Sequence, residues 1–187
     1  MSETPDQAAI PASAYDMSHT EGDDERRTLA VIVDNEPGVL GRVVGLFSAR
    51  GYNIESLTVA EVDRRRHRSR ITIVTTGSAH TLEQIEAQLL RLVPVASVTD
   101  ITKSKRGIER ELALVKVAGI GEKRVEALRI SQIFRANVID TGTESFIFEL
   151  TGASDKIDQF CALMKPLGLV EVSRTGVLSI KRGAQVG

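Results

Sequence analysis

The sequence predicts an α+β protein made of two tandem units that share one order of elements. Short runs rich in β-branched residues alternate with segments of helical periodicity, in the order strand, helix, strand, strand, helix, strand. This order occurs twice, with a period of about 83 residues, and it is the order of a ferredoxin-like βαββαβ unit. We expect a disordered acidic tail at 1–27, a first unit at 28–102, a polar linker at 103–109 and a second unit at 110–187.

The first unit opens with "TLAVIVD", a β-branched run that starts at Thr28 and is typical of a strand. A helix is then predicted, because apolar residues recur at i, i+3, i+4 and i+7. These residues are Leu40, Val43, Val44 and Phe47. Gly51 follows them and suits a left-handed helix end.

Two strands, a helix and a last strand complete the first unit. "NIESLTVAEVD" and "RSRITIVTTG" alternate apolar and polar residues, and "VASVTDIT" ends the unit as a further strand. The helix between them is indicated by Leu82, Ile85, Leu89 and Leu92. With both helices on one face of the sheet, the other face needs cover from another domain or another subunit.

The second unit repeats the pattern with different residues. "ELALVKVAG", "ANVIDTG" and "SFIFELTG" predict three strands, and "VEVSRTGVLSI" predicts one or two more. One helix is indicated by Val125, Leu128, Ile133 and Phe134. A second is indicated by Ile157, Phe160, Cys161 and Met164.

Composition and charge exclude several classes of protein. The chain has 187 residues and a net charge of −1; residues 1–27 hold seven acidic residues and two arginines. The rest is only mildly basic and Trp is absent, so a nucleic-acid binder is not expected. A single cysteine allows no intrachain disulfide, and no apolar run is long enough for a membrane span. Without a secretory signal, we expect a cytoplasmic protein with no membrane partner.

No catalytic or metal-binding group of residues is evident. The three histidines lie far apart in the sequence, and Cys161 falls on an apolar helical stripe, where it is expected to fill core space. "GIGEKR" at 119–124 lacks the third glycine of a dinucleotide-binding loop and is expected to be a turn. The sequence therefore predicts a chain without an active site, cofactor or metal of its own.

A basic cluster lies between the second and third strands of the first unit. It comprises Arg64, Arg65, Arg66, Arg68 and Arg70. Mutual repulsion favours solvent exposure at a hairpin tip. A docking patch for an acidic partner surface is the functional alternative, and no RNA-binding or helix-turn-helix motif accompanies it.

The loop "DNEPG" before the first helix has the features of a carboxylate site. A helix N-terminus offers free backbone N–H groups and the positive end of the helix dipole. Asn35 can cap the helix or donate to a ligand, and Gly38 leaves the first-turn amides accessible. Val39 and Leu40 would form an apolar wall, so an aliphatic amino acid fits. The alternative is that Asn35 and Gly38 merely shape a turn.

The stretch "DNEPGVLGRVVGLFSARGYNIESLTV" resembles the start of ACT regulatory domains. With "RITIVTTG", "ERELALVKV", "IFRANVIDTGTESFIFELTG" and "VEVSRTGVLSIKRG", residues 27–183 resemble small regulatory subunits of acetolactate synthase. The resemblance implies a homodimer that forms through the ACT domain. It also implies a partner, a catalytic large subunit that carries thiamine diphosphate, Mg²⁺ and FAD. This chain is then expected to activate the large subunit and to make it sensitive to valine.

The resemblance also implies which residues bind the effector. One subunit contributes Asn35, Gly38, Val39 and Leu40, and its neighbour contributes Asn53 and Ile54. Valine is expected as the ligand, with leucine and isoleucine as alternatives. The second unit lacks the N-x-x-G loop, so no equivalent site is expected there.

Three other functions are open at this point. The chain could be a stand-alone amino-acid sensor, although a pure sensor would not need the second unit. It could be an enzyme on a ferredoxin-like scaffold, which the missing acid–base cluster disfavours. A nucleic-acid module would depend on the arginine cluster alone.

Overall fold

The computed structural model of the chain describes residues 24–103 and 107–184. Residues 1–23, most of the expected tail, lie outside the described part. The elements are β1 (Glu25–Asp34), α1 (Val39–Ala49), β2 (Ser56–Asp63), β3 (Arg68–Gly77), α2 (Ala79–Leu89), β4 (Val95–Asp100), β5 (Gly107–Ala118), α3 (Glu122–Phe134), β6 (Asn137–Thr141), β7 (Ser145–Gly152), α4 (Ser154–Gly168), β8 (Leu169–Arg174) and β9 (Leu178–Lys181). The predicted βαββαβ order, repeated in two units, is confirmed. The last predicted segment, "VEVSRTGVLSI", forms two strands, β8 and β9.

The first unit is a four-stranded antiparallel sheet in the order β2-β3-β1-β4. Its core contains Val31 and Val33 of β1, Ile71 and Ile73 of β3, and the inner faces of α1 and α2. Strand side chains alternate between the two faces, so Arg70, Thr72 and Val74 point away from the helices. The unit therefore has one helix-covered face and one open face, as predicted.

The first strand begins earlier than the sequence suggested. β1 starts at Glu25 rather than Thr28, and Glu25 pairs with Gly77 of β3. Arg27 is nearly buried, and its guanidinium lies 2.7 Å from a Glu25 oxygen and 3.6 Å from an Asp100 oxygen. The hydrogen bonds that Arg27 donates to the Glu25 carboxylate raise the pKa of Arg27. Residues 25–27 looked like tail because the strand that they pair with, and Asp100 beside Arg27, are distant in sequence.

The second unit repeats the topology with strand order β6-β7-β5-β8. Its core is richer in aromatic residues than that of the first unit. Phe148 lies edge-on to Phe160 with ring centroids 6.0 Å apart, and it contacts Phe146 at 5.5 Å. Both Phe148 and Phe160 are completely buried. Cys161 is half-buried beside this core, as its helical position predicted.

Two predicted helix faces are partly wrong. In α1 the buried residues include Val39 and Leu46, while Leu40 is exposed. In α3 the buried residues include Ala127 and Ile130, while Val125 and Ile133 are exposed. Large apolar residues lie on both sides of each stripe, so hydrophobic spacing alone did not determine which side faces the sheet.

The predicted linker at 103–109 is partly a strand. β5 begins at Gly107, and its first four residues pair with β9 from Gly107↔Lys181 to Arg110↔Leu178. Residues 104–106 lie outside the described part of the chain. Residues 107–109 were predicted to be linker because they are mostly polar or glycine, and no local pattern indicates that they pair with the distant strand β9.

This ribbon and the residues before it cover part of the open face of the first sheet. The Thr58 hydroxyl donates to the Val177 carbonyl at 2.8 Å, and the Arg70 guanidinium donates to the Ser179 carbonyl at 2.9 Å. Thr72 and Val74 on the same face are buried. The expected cover is therefore supplied, in this part of the face, by the C-terminal end of the same chain.

Candidate functional site

The loop between β1 and α1 is held against the β2–β3 hairpin by its backbone. The Asn35 N–H donates to the His67 carbonyl at 2.6 Å, and the Glu36 N–H donates to the Asp34 carbonyl at 2.9 Å. Asp34 also lies 3.3 Å from the Arg68 guanidinium. These contacts fix the backbone of the loop, while the Asn35 side chain remains at the surface.

Gly38, and not Asn35, occupies the cap position of α1. Its φ of 84° and ψ of −5° are left-handed, and no side chain caps the helix. Pro37 therefore precedes the cap. A β-carbon built on Gly38 would have no other atom within 4 Å. The space in front of the helix is thus open on this side.

The amides at the start of α1 are available to a ligand. The Val39 N–H reaches the Glu36 carbonyl at 3.3 Å, but those of Gly38, Leu40 and Gly41 have no acceptor among the described residues. The first turn contains no acidic side chain. Free N–H groups at the positive end of a helix dipole form an anion site.

Val39 and Leu40 lie in different environments. Val39 belongs to the core cluster and is only 7% exposed, whereas Leu40 is 39% exposed. The Leu40 side chain is therefore the apolar surface next to the free amides. The Val39 side chain serves the core and has little surface left for a ligand.

Asn53 and Ile54 lie in the loop between α1 and β2. The Asn53 carbonyl accepts a hydrogen bond from the Thr75 hydroxyl at 2.6 Å, and its side chain is exposed. Ile54 is half-buried and packs on the first core. The loop is thus anchored through its backbone and presents the Asn53 amide to the exterior.

The two groups of predicted residues do not meet within one chain. Asn35 and Gly38 lie before α1, and Asn53 and Ile54 lie after it. Eleven helical residues separate the two ends by about 16 Å. A ligand of amino-acid size cannot touch both groups of one chain, so a shared site requires a second copy.

The arginine cluster is divided between the hairpin tip and β3. Arg64 and Arg66 lie at the tip with side chains 93% and 80% exposed, as expected. Arg70 departs from that expectation, because it is half-buried and donates to the Ser179 carbonyl. Desolvation lowers the pKa of Arg70. Repulsion between neighbouring arginines is thus reduced, since Arg70 points to the C-terminal strand.

Other reactive groups give no second site. In residues 24–103 and 107–184, no three His, Cys, Asp or Glu side chains are grouped to hold a metal ion. Burial raises the pKa of the Cys161 thiol, which makes it a weak nucleophile at neutral pH. No helix in these described ranges is long and apolar enough to cross a bilayer.

Comparison with known proteins assigns both units. A family model described as "AHAS small subunit-like ACT domain" matches residues 29–97, and one described as "Small subunit of acetolactate synthase" matches residues 110–183. The acetolactate synthase small subunit of Haemophilus influenzae is 46% identical over 159 residues, which are 84% of this chain and 96% of that protein. The chain belongs to the acetolactate synthase small-subunit family. Its first unit is an ACT domain.

Further small subunits support this assignment. The isozyme 3 small subunit of Escherichia coli is 45% identical over 162 residues, 86% of this chain and 98% of that one. The crystal structure of the acetolactate synthase small subunit from Thermotoga maritima is 37% identical, with a TM-score of 0.78. It covers 86% of this chain and 99% of the Thermotoga chain. The likeness therefore extends over both units.

Sequence reasoning missed the contacts between the loop at Asn53 and the C-terminal end of the small subunit. The Ser56 hydroxyl accepts a hydrogen bond from the Val177 N–H at 2.9 Å. Glu55 lies 3.1 Å from the Arg26 guanidinium, which is also 3.4 Å from a Glu109 oxygen. No local pattern indicates such partners, because they are 29 to 121 residues apart.

Proposed function

We propose that this chain is the regulatory small subunit of an acetolactate synthase. It activates a catalytic large subunit and makes that enzyme sensitive to feedback inhibition by valine in branched-chain amino-acid biosynthesis. The observation that carries the proposal is the family match across both units. In this proposal thiamine diphosphate, Mg²⁺ and FAD belong to the large subunit, and the complex is cytoplasmic.

The effector site is proposed to lie between two copies of the ACT domain. Asn35, Gly38 and Leu40 come from one copy, and Asn53 and Ile54 come from the other. The separation of the two groups along α1 supports this arrangement, because one chain alone cannot enclose the ligand. Val39 contributes less than the sequence suggested, because its side chain is buried and its N–H already reaches the Glu36 carbonyl.

The chemistry of valine fits the exposed groups. Its carboxylate accepts hydrogen bonds from the free amides around Gly38, where the helix dipole favours negative charge. Its ammonium group meets the Asn53 side-chain oxygen of the other copy, since the Asn53 backbone carbonyl already binds Thr75. Its isopropyl group packs against Leu40 and Ile54.

Inhibition then requires only that valine binds one packing of the two copies better than another. A ligand shifts such an equilibrium by its difference in affinity for the two states. Allosteric coupling is typically about 1–3 kcal/mol, or about 5- to 150-fold in affinity. A site shared by two chains provides this difference, because the geometry between the chains determines the fit.

Reconstitution tests the proposal. Activity of the purified large subunit is measured with and without this chain, over a range of valine concentrations. We expect activation in the absence of valine and a graded loss of activity as valine is added. Equal activity with and without the chain would refute the regulatory role, and activation without any valine response would refute the effector assignment alone. Parallel titrations with leucine and isoleucine test specificity.

A further inference from the structure

The backbone of Val177 is held on both sides by the second strand of the ACT domain. Its N–H donates to the Ser56 hydroxyl at 2.9 Å, and its carbonyl accepts from the Thr58 hydroxyl at 2.8 Å. Ser56 and Thr58 are two residues apart in β2 and therefore project from the same face. Val177 is almost completely buried in this position.

The chain approaches β2 closely just before Val177. Gly176 has a φ of 79°, and a β-carbon built on it would lie 2.6 Å from the Ser56 hydroxyl oxygen. The left-handed backbone favours glycine at this position, and any side chain here would displace the Ser56 hydroxyl. The Ser56 hydroxyl therefore lies directly against Gly176, in the place where it accepts the hydrogen bond from Val177.

The segment 174–181, called here the C-terminal segment, is anchored in the second unit at both ends. Arg174 binds the two carboxylate oxygens of Glu111 at 2.8 and 2.6 Å, and it binds Asp158 at 2.6 Å. Beyond Val177, residues 178–181 pair with residues 107–110 of β5. The C-terminal segment is thus held in place by the second unit, and it also contacts the first unit.

The contact with β2 begins next to the loop that carries the proposed effector residues. Ser56 follows Ile54 by two residues, or about 7 Å of extended chain. Between them, Glu55 binds Arg26, which in turn reaches Glu109 in β5. A change in the loop at Asn53 therefore has two short routes to the second unit, one through Ser56 and one through Glu55.

We infer that the C-terminal segment transmits occupancy of the effector site to the second unit, with Ser56 and Thr58 as the positioning residues. The inference rests on the proposed function. When the effector binds the loop at Asn53, Ser56 and Thr58 are held in register and both hydrogen bonds to Val177 persist. Because the segment is fixed to Glu111 and β5, the second unit experiences the same constraint.

Hydrogen exchange of the full chain, with and without valine, measures this coupling. Calorimetry on the same sample first establishes whether valine binds. In the wild-type protein we expect saturating valine to slow exchange of the amides in residues 175–181 at least fivefold, about the lower end of typical allosteric coupling. Valine that binds with measurable heat but leaves these amides unchanged would overturn the inference and spare the proposed function.

Three variants separate positioning from mere structural support. Thr58→Val keeps the shape but removes the donor to Val177, and we expect valine still to bind while the exchange response falls below about twofold. Thr58→Ser keeps the donor and is expected to retain the response. Thr99→Val is the matched control on β4, where the Thr99 hydroxyl bonds to no other described residue. It should behave as wild type.

Each result decides the question. A wild-type response in Thr58→Val, or an equal loss in Thr58→Val and Thr99→Val, would contradict the role of the Thr58 hydroxyl. If Thr58→Val fails to fold, the wild-type measurement and Thr58→Ser still test the inference. Absence of binding heat in the wild-type protein would refute the proposed effector, and the transmission inference with it.

Discussion

Replacement of Gly38 by aspartate tests the carboxylate site through charge. The added side chain would enter open space, since nothing lies within 4 Å of the position of its β-carbon. Its carboxylate would then compete with the ligand for the same free amides at the start of α1. We expect Gly38→Asp to lose its response to valine while it continues to activate the large subunit.

The size of this effect follows from two carboxylates about 4 Å apart. Their repulsion is about 1 kcal/mol in water and about 4 kcal/mol at the effective dielectric of a protein surface. Valine affinity should therefore fall by between about fivefold and several hundredfold. The left-handed backbone of Gly38 adds a separate folding cost of about 1–2 kcal/mol for a side chain.

Gly38→Asn is the matched control. Asparagine has nearly the same shape as aspartate, and both residues tolerate left-handed backbone better than most. The difference between the two variants therefore isolates the charge. The assay is a valine dose curve of the reconstituted enzyme, with circular dichroism to confirm folding. An unchanged dose curve for Gly38→Asp, or an equal loss in both variants, would refute the carboxylate assignment.

Four further predictions concern the site and the stability of the second unit. Asn35→Ala removes one hydrogen-bond donor worth about 1–3 kcal/mol, so the valine dose curve should shift at least severalfold, and a wild-type curve would contradict its role. Glu111→Gln weakens the buried pair with Arg174, and urea unfolding should show a loss of about 1–3 kcal/mol, whereas Glu126→Gln at the surface should change stability by less than about 0.5 kcal/mol. The same pairing raises the pKa of Arg174 above the ordinary pKa of arginine. A cation whose pKa is raised in the folded state stabilises the fold fully as long as the pH is below its ordinary pKa. The contribution of the Arg174 pair to the free energy of unfolding should therefore stay constant between about pH 6 and 9. Phe148→Ala should cost about 3–5 kcal/mol in the same unfolding assay, and a loss below 1 kcal/mol would show that the ring stack is not part of the core.

Periodicity predicted the fold well because each element follows a local rule. Strand alternation and helical spacing predicted the order of elements in both units. The structure has a helix at each predicted apolar stripe. The choice between Val39 and Leu40 as the buried residue was not accessible in this way. Both are apolar and adjacent, so the packing of the whole layer decides which one turns inward.

Contacts between residues that are distant in the sequence could not be predicted. Arg27 looked like part of an acidic tail until Asp100, more than seventy residues away, was placed beside it. Arg70 looked like part of an exposed cluster until Ser179 was placed beside it. Charged residues that pair across the fold leave no local pattern, and so the extent of β1 and the cover on the first sheet required the structure.

The residues of the candidate site were proposed from the sequence, and the structure adds their geometry. Asn35 and Gly38 follow a recognisable loop pattern, and the structure shows Gly38 in the left-handed conformation that leaves the amides open. The separation of this loop from Asn53 by the length of α1 emerged only from the fold. That separation makes a site between two copies the central physical requirement of the proposed function.

Complementation between two defective chains tests this requirement most directly. Gly38→Asp disables the amide side of the site, and Asn53→Ala disables the side contributed by the other copy. In a mixed dimer one of the two sites receives only wild-type residues. Calorimetry should therefore detect only weakened valine binding by either variant alone, and sites of wild-type affinity at about a quarter of the wild-type number after random mixing. No recovery of binding, in a mixture shown to exchange subunits, would contradict a site shared between two copies.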